Sequence, residues 1–131
     1  MSESQDVLAA NEVFYRAFME GDFAAMDGLW ALKAPVACIH PGWFTLTGRT
    51  VVIESWRAIL SNPPPVLVSE AQAHVLGASA FVTCVETVAG TALVATNIFA
   101  NENGAWRMVH HQAGHATRTL DVAPDASSSV H

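Results

Sequence analysis

Residues 66–115 read VLVSEAQAHVLGASAFVTCVETVAGTALVATNIFANENGAWRMVHHQAGH, and this stretch decides the architecture. Four runs, Val66–Leu76, Ala80–Val88, Ala92–Asn101 and Ala105–His115, are divided by Gly77-Ala78-Ser79, Ala89-Gly90-Thr91 and Glu102-Asn103-Gly104. Each run is the length of a strand, and each divider is a short connection containing glycine, so the runs predict a meander of antiparallel neighbours. In the first run Glu70, Gln72 and His74 alternate with Ser69, Ala71, Ala73 and Val75, which predicts one wet face. The next two are apolar at nearly every position apart from Thr83, Glu86 and Asn97. A sheet with that pattern is expected to be covered on both faces, by helices on one and by a second copy of the chain on the other.

Upstream of the meander, Pro63-Pro64-Pro65 forbids helix continuation, and three segments before it have helical periodicity. Ser2 and Gln5 have the spacing of a capping box, and Leu8, Ala10, Val13, Phe14, Ala17 and Phe18 follow at helical intervals, predicting a helix from about Gln5 to Glu20. Asp22 caps a short second helix with Phe23, Met26, Leu29 and Trp30 on its apolar face. A brief strand, Val36 to His40, leads into the Pro41-Gly42 turn. Val52, Ile53, Trp56, Ile59 and Leu60 then give a third helix from about Arg49. Three helices followed by a meander is an α+β layout.

The composition narrows the class of partner. Of the 131 residues 51% are apolar and only 14% are charged, which leaves apolar surface to be covered by a homodimer interface or used in a ligand cavity. A net charge of −6 lacks the basic surface that nucleic acid or an anionic membrane requires. The polar, acidic start MSESQDVLAA does not read as a signal peptide, no run approaches a membrane span, and Cys38 and Cys84 have no paired or metal-ligand spacing. These features predict a cytoplasmic protein with free buried thiols.

Three motifs resemble the SnoaL-like branch of the superfamily that includes ketosteroid isomerase, scytalone dehydratase and nuclear transport factor 2. They are Gly21-Asp22-Phe23, then Ile39-His40-Pro41 with Gly48-Arg49 and Trp56, and finally the closing hairpin GAWRMVH from Gly104 to His110. With the element order they cover residues 5–116. The resemblance implies a cone-shaped curved antiparallel sheet packed on three N-terminal helices, forming a domain over residues 1–116; the tail over 117–131 is expected to be disordered from its Pro, Asp and Ser content. The final strands also resemble the association domain of calcium/calmodulin-dependent kinase, whose pocket carries arginines on its last three strands. Glu86, Asn97 and Ala113 stand at those positions here. Without the guanidinium grip on a carboxylate, the resemblance implies a small neutral or weakly polar organic ligand.

The family register places Glu86, Asn97 and His111 on the pocket side and His40 at the pocket mouth. A desolvated carboxylate beside an imidazole suits general acid/base work on a small carbonyl compound, with Glu86 or His111 as base, His40 as the second acid or base, and the Asn97 amide facing a developing oxyanion. That chemistry describes a lyase or isomerase needing no cofactor. The same residues also read as satisfied core groups or ligand contacts in a binding module. Met26, Trp30, Trp43 and Trp56 read as core or pocket wall. Met108, His110 and Gln112 are expected on the opposite face, with Arg107 sharing the parity of His111. A zinc site is not expected, because His110 and His111 cannot both face one ion from a regular strand.

Overall fold

The computed structural model describes residues 2–120. Helix α1 spans Glu3–Glu20, α2 Phe23–Leu29 and α3 Arg49–Leu60; the strands are β1 Ala37–Ile39, β2 Leu46–Thr47, β3 Val66–Leu76, β4 Ser79–Val88, β5 Thr91–Glu102 and β6 Ala105–His115. The capping box is formed, with Ser2 Oγ accepting the Gln5 N–H at 3.2 Å and Gln5 Oε1 accepting the Ser2 N–H at 3.0 Å. It sets the helix start two residues earlier than the apolar periodicity suggested. The helix ends at Gly21, whose φ of 66° lies in the left-handed region. A Cβ there would meet the Leu60 carbonyl oxygen at 2.9 Å, so this glycine also lets the ends of α1 and α3 approach.

The six strands form one curved sheet in the order β2-β1-β6-β5-β4-β3. The meander β3 to β6 is antiparallel throughout, as its short connections require. β1 returns to lie parallel to β6, and the two-residue β2, which the sequence did not announce, closes that edge. The fold is α+β, with three helices packed on one face of the sheet. That inner face is laid out by period two, with Ala80, Val82, Cys84 and Glu86 on β4, then Leu93, Ala95, Asn97 and Phe99 on β5, all buried. Phe14, Tyr15, Met26, Trp30 and Trp56 fill the space beneath the helices. Fully burying an apolar side chain of this size contributes about 1.5–3 kcal/mol.

One expectation about β6 is corrected. Met108 was placed on the outer face with His110, yet it is fully buried. The pairing explains this: Phe99 faces Met108 while Ile98 faces His110, so Val109 is an extra residue that resets the alternation. Met108 and His111 therefore point inward on either side of the bulge. Arg107 lies beyond the bulge and loses the parity it was expected to share with His111; its guanidinium donates to the Gly28 carbonyl. The wet face expected of β3 extends to both faces around Ser69–Gln72, where the register shifts and Glu70 takes a φ of 56°.

The β5 end ties down the loop before β1. The Glu102 carboxylate accepts the backbone N–H groups of Leu32, Lys33 and Ala34 at 3.1, 3.1 and 2.8 Å. These bonds hold its carboxyl below the usual range. Residues 117–120 continue without helix or strand. The rest of the expected tail, 121–131, lies outside the described residues.

Candidate functional site

At the end of the sheet near α3 a cavity of about 380 Å³ is lined by Phe18, His40, Pro41, Trp43, Ala58, Ile59, Asn62, Pro64, Glu86, Val88, Leu93 and His111. Glu86 reaches it from β4, His111 from β6, and His40 from the residue after β1. The Ala37–His110 and Cys38–His111 pairing of β1 with β6 brings His40 alongside; the two imidazole centroids are 6.4 Å apart. Trp43 is half exposed at the rim and packs edge-on against His40. The three residues proposed from sequence for acid/base work thus line one cavity.

Behind the cavity runs a buried polar chain. Asn97 Oδ1 stands 2.6 Å from His111 Nδ1, across the β5–β6 pair. The Asn97 amide hydrogens go to Asn11 Oδ1 at 2.8 Å and to the Tyr15 hydroxyl at 3.1 Å. With both hydrogens committed, Asn97 presents its oxygen to His111, so Nδ1 carries the imidazole proton and Nε2 is left as an acceptor. Tyr15 in turn donates to Glu86 Oε2 at 2.6 Å. Glu86 Oε2 and His111 Nε2 are 3.9 Å apart, too far for a direct hydrogen bond.

Burial sets the charge states. It raises the Glu86 carboxyl above the usual carboxylate range, against the opposing pull of the Tyr15 hydrogen bond. Burial lowers His111 to about 3, helped by His40 and His110, and lowers His40 to about 4. Burial thus disfavours the charged form of both Glu86 and His111, which argues against an ion pair between them. His40 Nε2 lies 2.9 Å from Ser55 Oγ, which already donates to the Val52 carbonyl; His40 therefore donates, and its Nε2 is occupied.

The remaining proposed residues lie elsewhere. Asn97 is fully buried and behind the cavity wall, with its amide spent on Asn11, Tyr15 and His111. Trp56 backs the cavity, its ring packed on His40 and near His111, without lining it. Met26 and Trp30 are fully buried in the core away from the lining. His110 leans the other way, with Nδ1 at 3.0 Å from the Ala37 carbonyl. Among the described residues no three His, Cys, Asp or Glu side chains are grouped to hold a metal ion.

A SnoaL-like domain model matches residues 7–117, most of the chain. The chain belongs to the SnoaL-like domain family. A crystal structure from Streptomyces avermitilis, provisionally assigned as a dehydratase of the NTF2-like family, is 30% identical, with 88% of this chain and 97% of that one covered and a TM-score of 0.82. A provisionally assigned calcium/calmodulin-dependent protein kinase type II association domain from Thiobacillus denitrificans is 29% identical, covering 84% and 94%, with a TM-score of 0.74. The F-box protein SKIP8 of Arabidopsis thaliana is 29% identical over 111 residues, 82% of this chain. The chain spans about half of that relative, 48% of its length.

In this SnoaL-like domain, sequence reasoning missed Asn11, Tyr15 and Ser55. Asn11 and Tyr15 stand four residues apart on the buried stripe of α1 that carries Phe14 and Phe18. A pair of polar groups on an apolar helical face was the available signal. Ser55 sits likewise on the buried side of α3 beside Val52 and Trp56.

Proposed function

We propose that this SnoaL-like domain binds a small neutral or weakly polar organic molecule in the cavity between Glu86, His111 and His40, and that it works as a cytoplasmic homodimer. The cavity lining carries the reading: it is mostly apolar, contains no Lys or Arg, and its three ionisable groups are held towards neutrality by burial. Such walls favour an uncharged guest, since nothing there would compensate an anion's lost hydration. Leu67 and Val94, exposed on the outer face of the sheet, support a second copy covering that face, as does the relative named as an association domain. The buried free thiols Cys38 and Cys84 accord with a reducing compartment, and no described helix is long and apolar enough to cross a membrane. Native mass spectrometry of the purified protein tests both parts. A small-molecule adduct on a dimer is expected, whereas a monomer that stays empty across a library of neutral compounds would overturn the proposal.

A second reading rests on the unprotonated Nε2 of His111 next to a carboxyl of raised pKa, and on the relative from Streptomyces avermitilis. These support a lyase or isomerase acting on a small carbonyl compound, with His111 as base and Glu86 as acid. Steady-state turnover of a panel of hydroxy-carbonyl compounds should then fall by two or more orders of magnitude, about 10²–10⁴-fold, in Glu86→Gln. Turnover that survives the paired replacement of Glu86 and His111 would exclude it.

A further inference from the structure

The cavity lining is mostly apolar, and His40, Asn62, Glu86 and His111 bring polar side chains to it. Two of these lining residues stand close together, with Glu86 Oε2 and His111 Nε2 3.9 Å apart. Two hydrogen bonds of about 2.8 Å meeting at one oxygen span such a gap with an angle of roughly 90° at that oxygen. The partners behind these atoms fix what the oxygen must do. Asn97, held by Asn11 and Tyr15, keeps the His111 proton on Nδ1 and turns Nε2 into an acceptor. Tyr15 occupies one side of Glu86 Oε2 at 2.6 Å, leaving the carboxyl's remaining capacity towards the cavity.

We infer that the Glu86–His111 pair in the cavity lining is a hydroxyl site: one alcohol or phenol oxygen bridges the two residues, donating its hydrogen to His111 Nε2 and accepting one from the Glu86 carboxyl. The inference rests on the binding reading above and names the chemical class of the guest. A ketone or ether oxygen only accepts, so it would leave Nε2 of His111 buried without a partner. A carboxylate would set its charge against the acceptor nitrogen in a lining without cations. Asn11 and Asn97 are positioning residues in this scheme, acting through His111 rather than on the guest.

The test uses cyclohexanol and cyclohexanone, a matched pair differing in the hydroxyl, titrated into the 131-residue chain with His-selective ¹⁵N spectra as the readout. In the free protein the unprotonated nitrogen of His111 should be Nε2. Cyclohexanol should bind about tenfold or more tightly than cyclohexanone and move the Nε2 resonance. In His111→Phe the preference should vanish while cyclohexanone binding persists. Equal binding of the two probes to the wild type, or an Nε2–H tautomer in the free protein, would overturn the hydroxyl site and leave the binding reading intact. If neither probe perturbs His40 or His111 up to its solubility limit, the binding reading and the hydroxyl site fall together.

Discussion

Asn97 on β5 and His111 on β6 sit opposite each other in the sheet and share a 2.6 Å hydrogen bond with no water-facing side. The bond does two jobs at once. It satisfies two core groups whose burial would otherwise be costly, and it decides which imidazole nitrogen faces the cavity.

Replacing Asn97 should therefore cost more than its own contacts. Asn97→Leu strands Asn11 and His111 together and leaves the Tyr15 hydroxyl its bond to Glu86, and a loss of about 2–5 kcal/mol is expected by urea unfolding. If the variant unfolds at the wild-type midpoint with an unchanged slope, the network contributes nothing to stability.

Acid should unfold the domain through its histidines. His40 and His111 have native pKa values of about 4 and 3, below the ordinary 6.5. The unfolded chain then binds the extra protons as pH falls from about 6.5, so stability declines with acidification down to the native values, at up to about 1.4 kcal/mol per pH unit for each group. Glu86 acts with the opposite sign, because its raised pKa makes the native state the better proton binder above 4.5. Unfolding free energies measured from pH 7 to 4.5 should show a shallower slope in His111→Phe and a steeper one in Glu86→Gln. A wild-type stability flat over that range would contradict the buried neutral assignment.

Two glycines should respond in opposite directions. Gly21 combines a φ of 66° with a Leu60 carbonyl 2.9 Å from any added Cβ, so Gly21→Ala should destabilise by about 1–3 kcal/mol. Gly28 lies inside α2 with nothing within 4 Å of an added Cβ. Gly28→Ala should gain roughly 0.5–1 kcal/mol. Thermal unfolding of the two variants side by side is the check, and an inverted order would mean the helix ends are placed wrongly.

The adjacent histidines should separate by phenotype. His111→Ala removes a cavity wall and should alter small-molecule binding; His110→Ala removes the bond to the Ala37 carbonyl and should weaken the β1–β6 edge instead. Hydrogen exchange at β1 would rise in the second variant alone. Equal effects of both on binding would place the strand register in error.

The sequence by itself determined the order of elements and most of the facing. The three prolines divided helices from strands and the glycine-containing turns made the meander antiparallel, while the strand register implied by the family resemblance put Glu86, Asn97 and His111 on one face. The first two are local or nearest-neighbour rules, and they survive without knowledge of the whole. The tertiary structure alone decided that Val109 bulges, which sent Met108 into the core and Arg107 out of line with His111. It also decided that Tyr15 meets Glu86 and that Asn11 meets Asn97, partners 71 and 86 residues apart. A hydrogen bond between such distant positions depends on how α1 lies across the sheet, a packing outcome set by the summed volumes of the core rather than by any short motif.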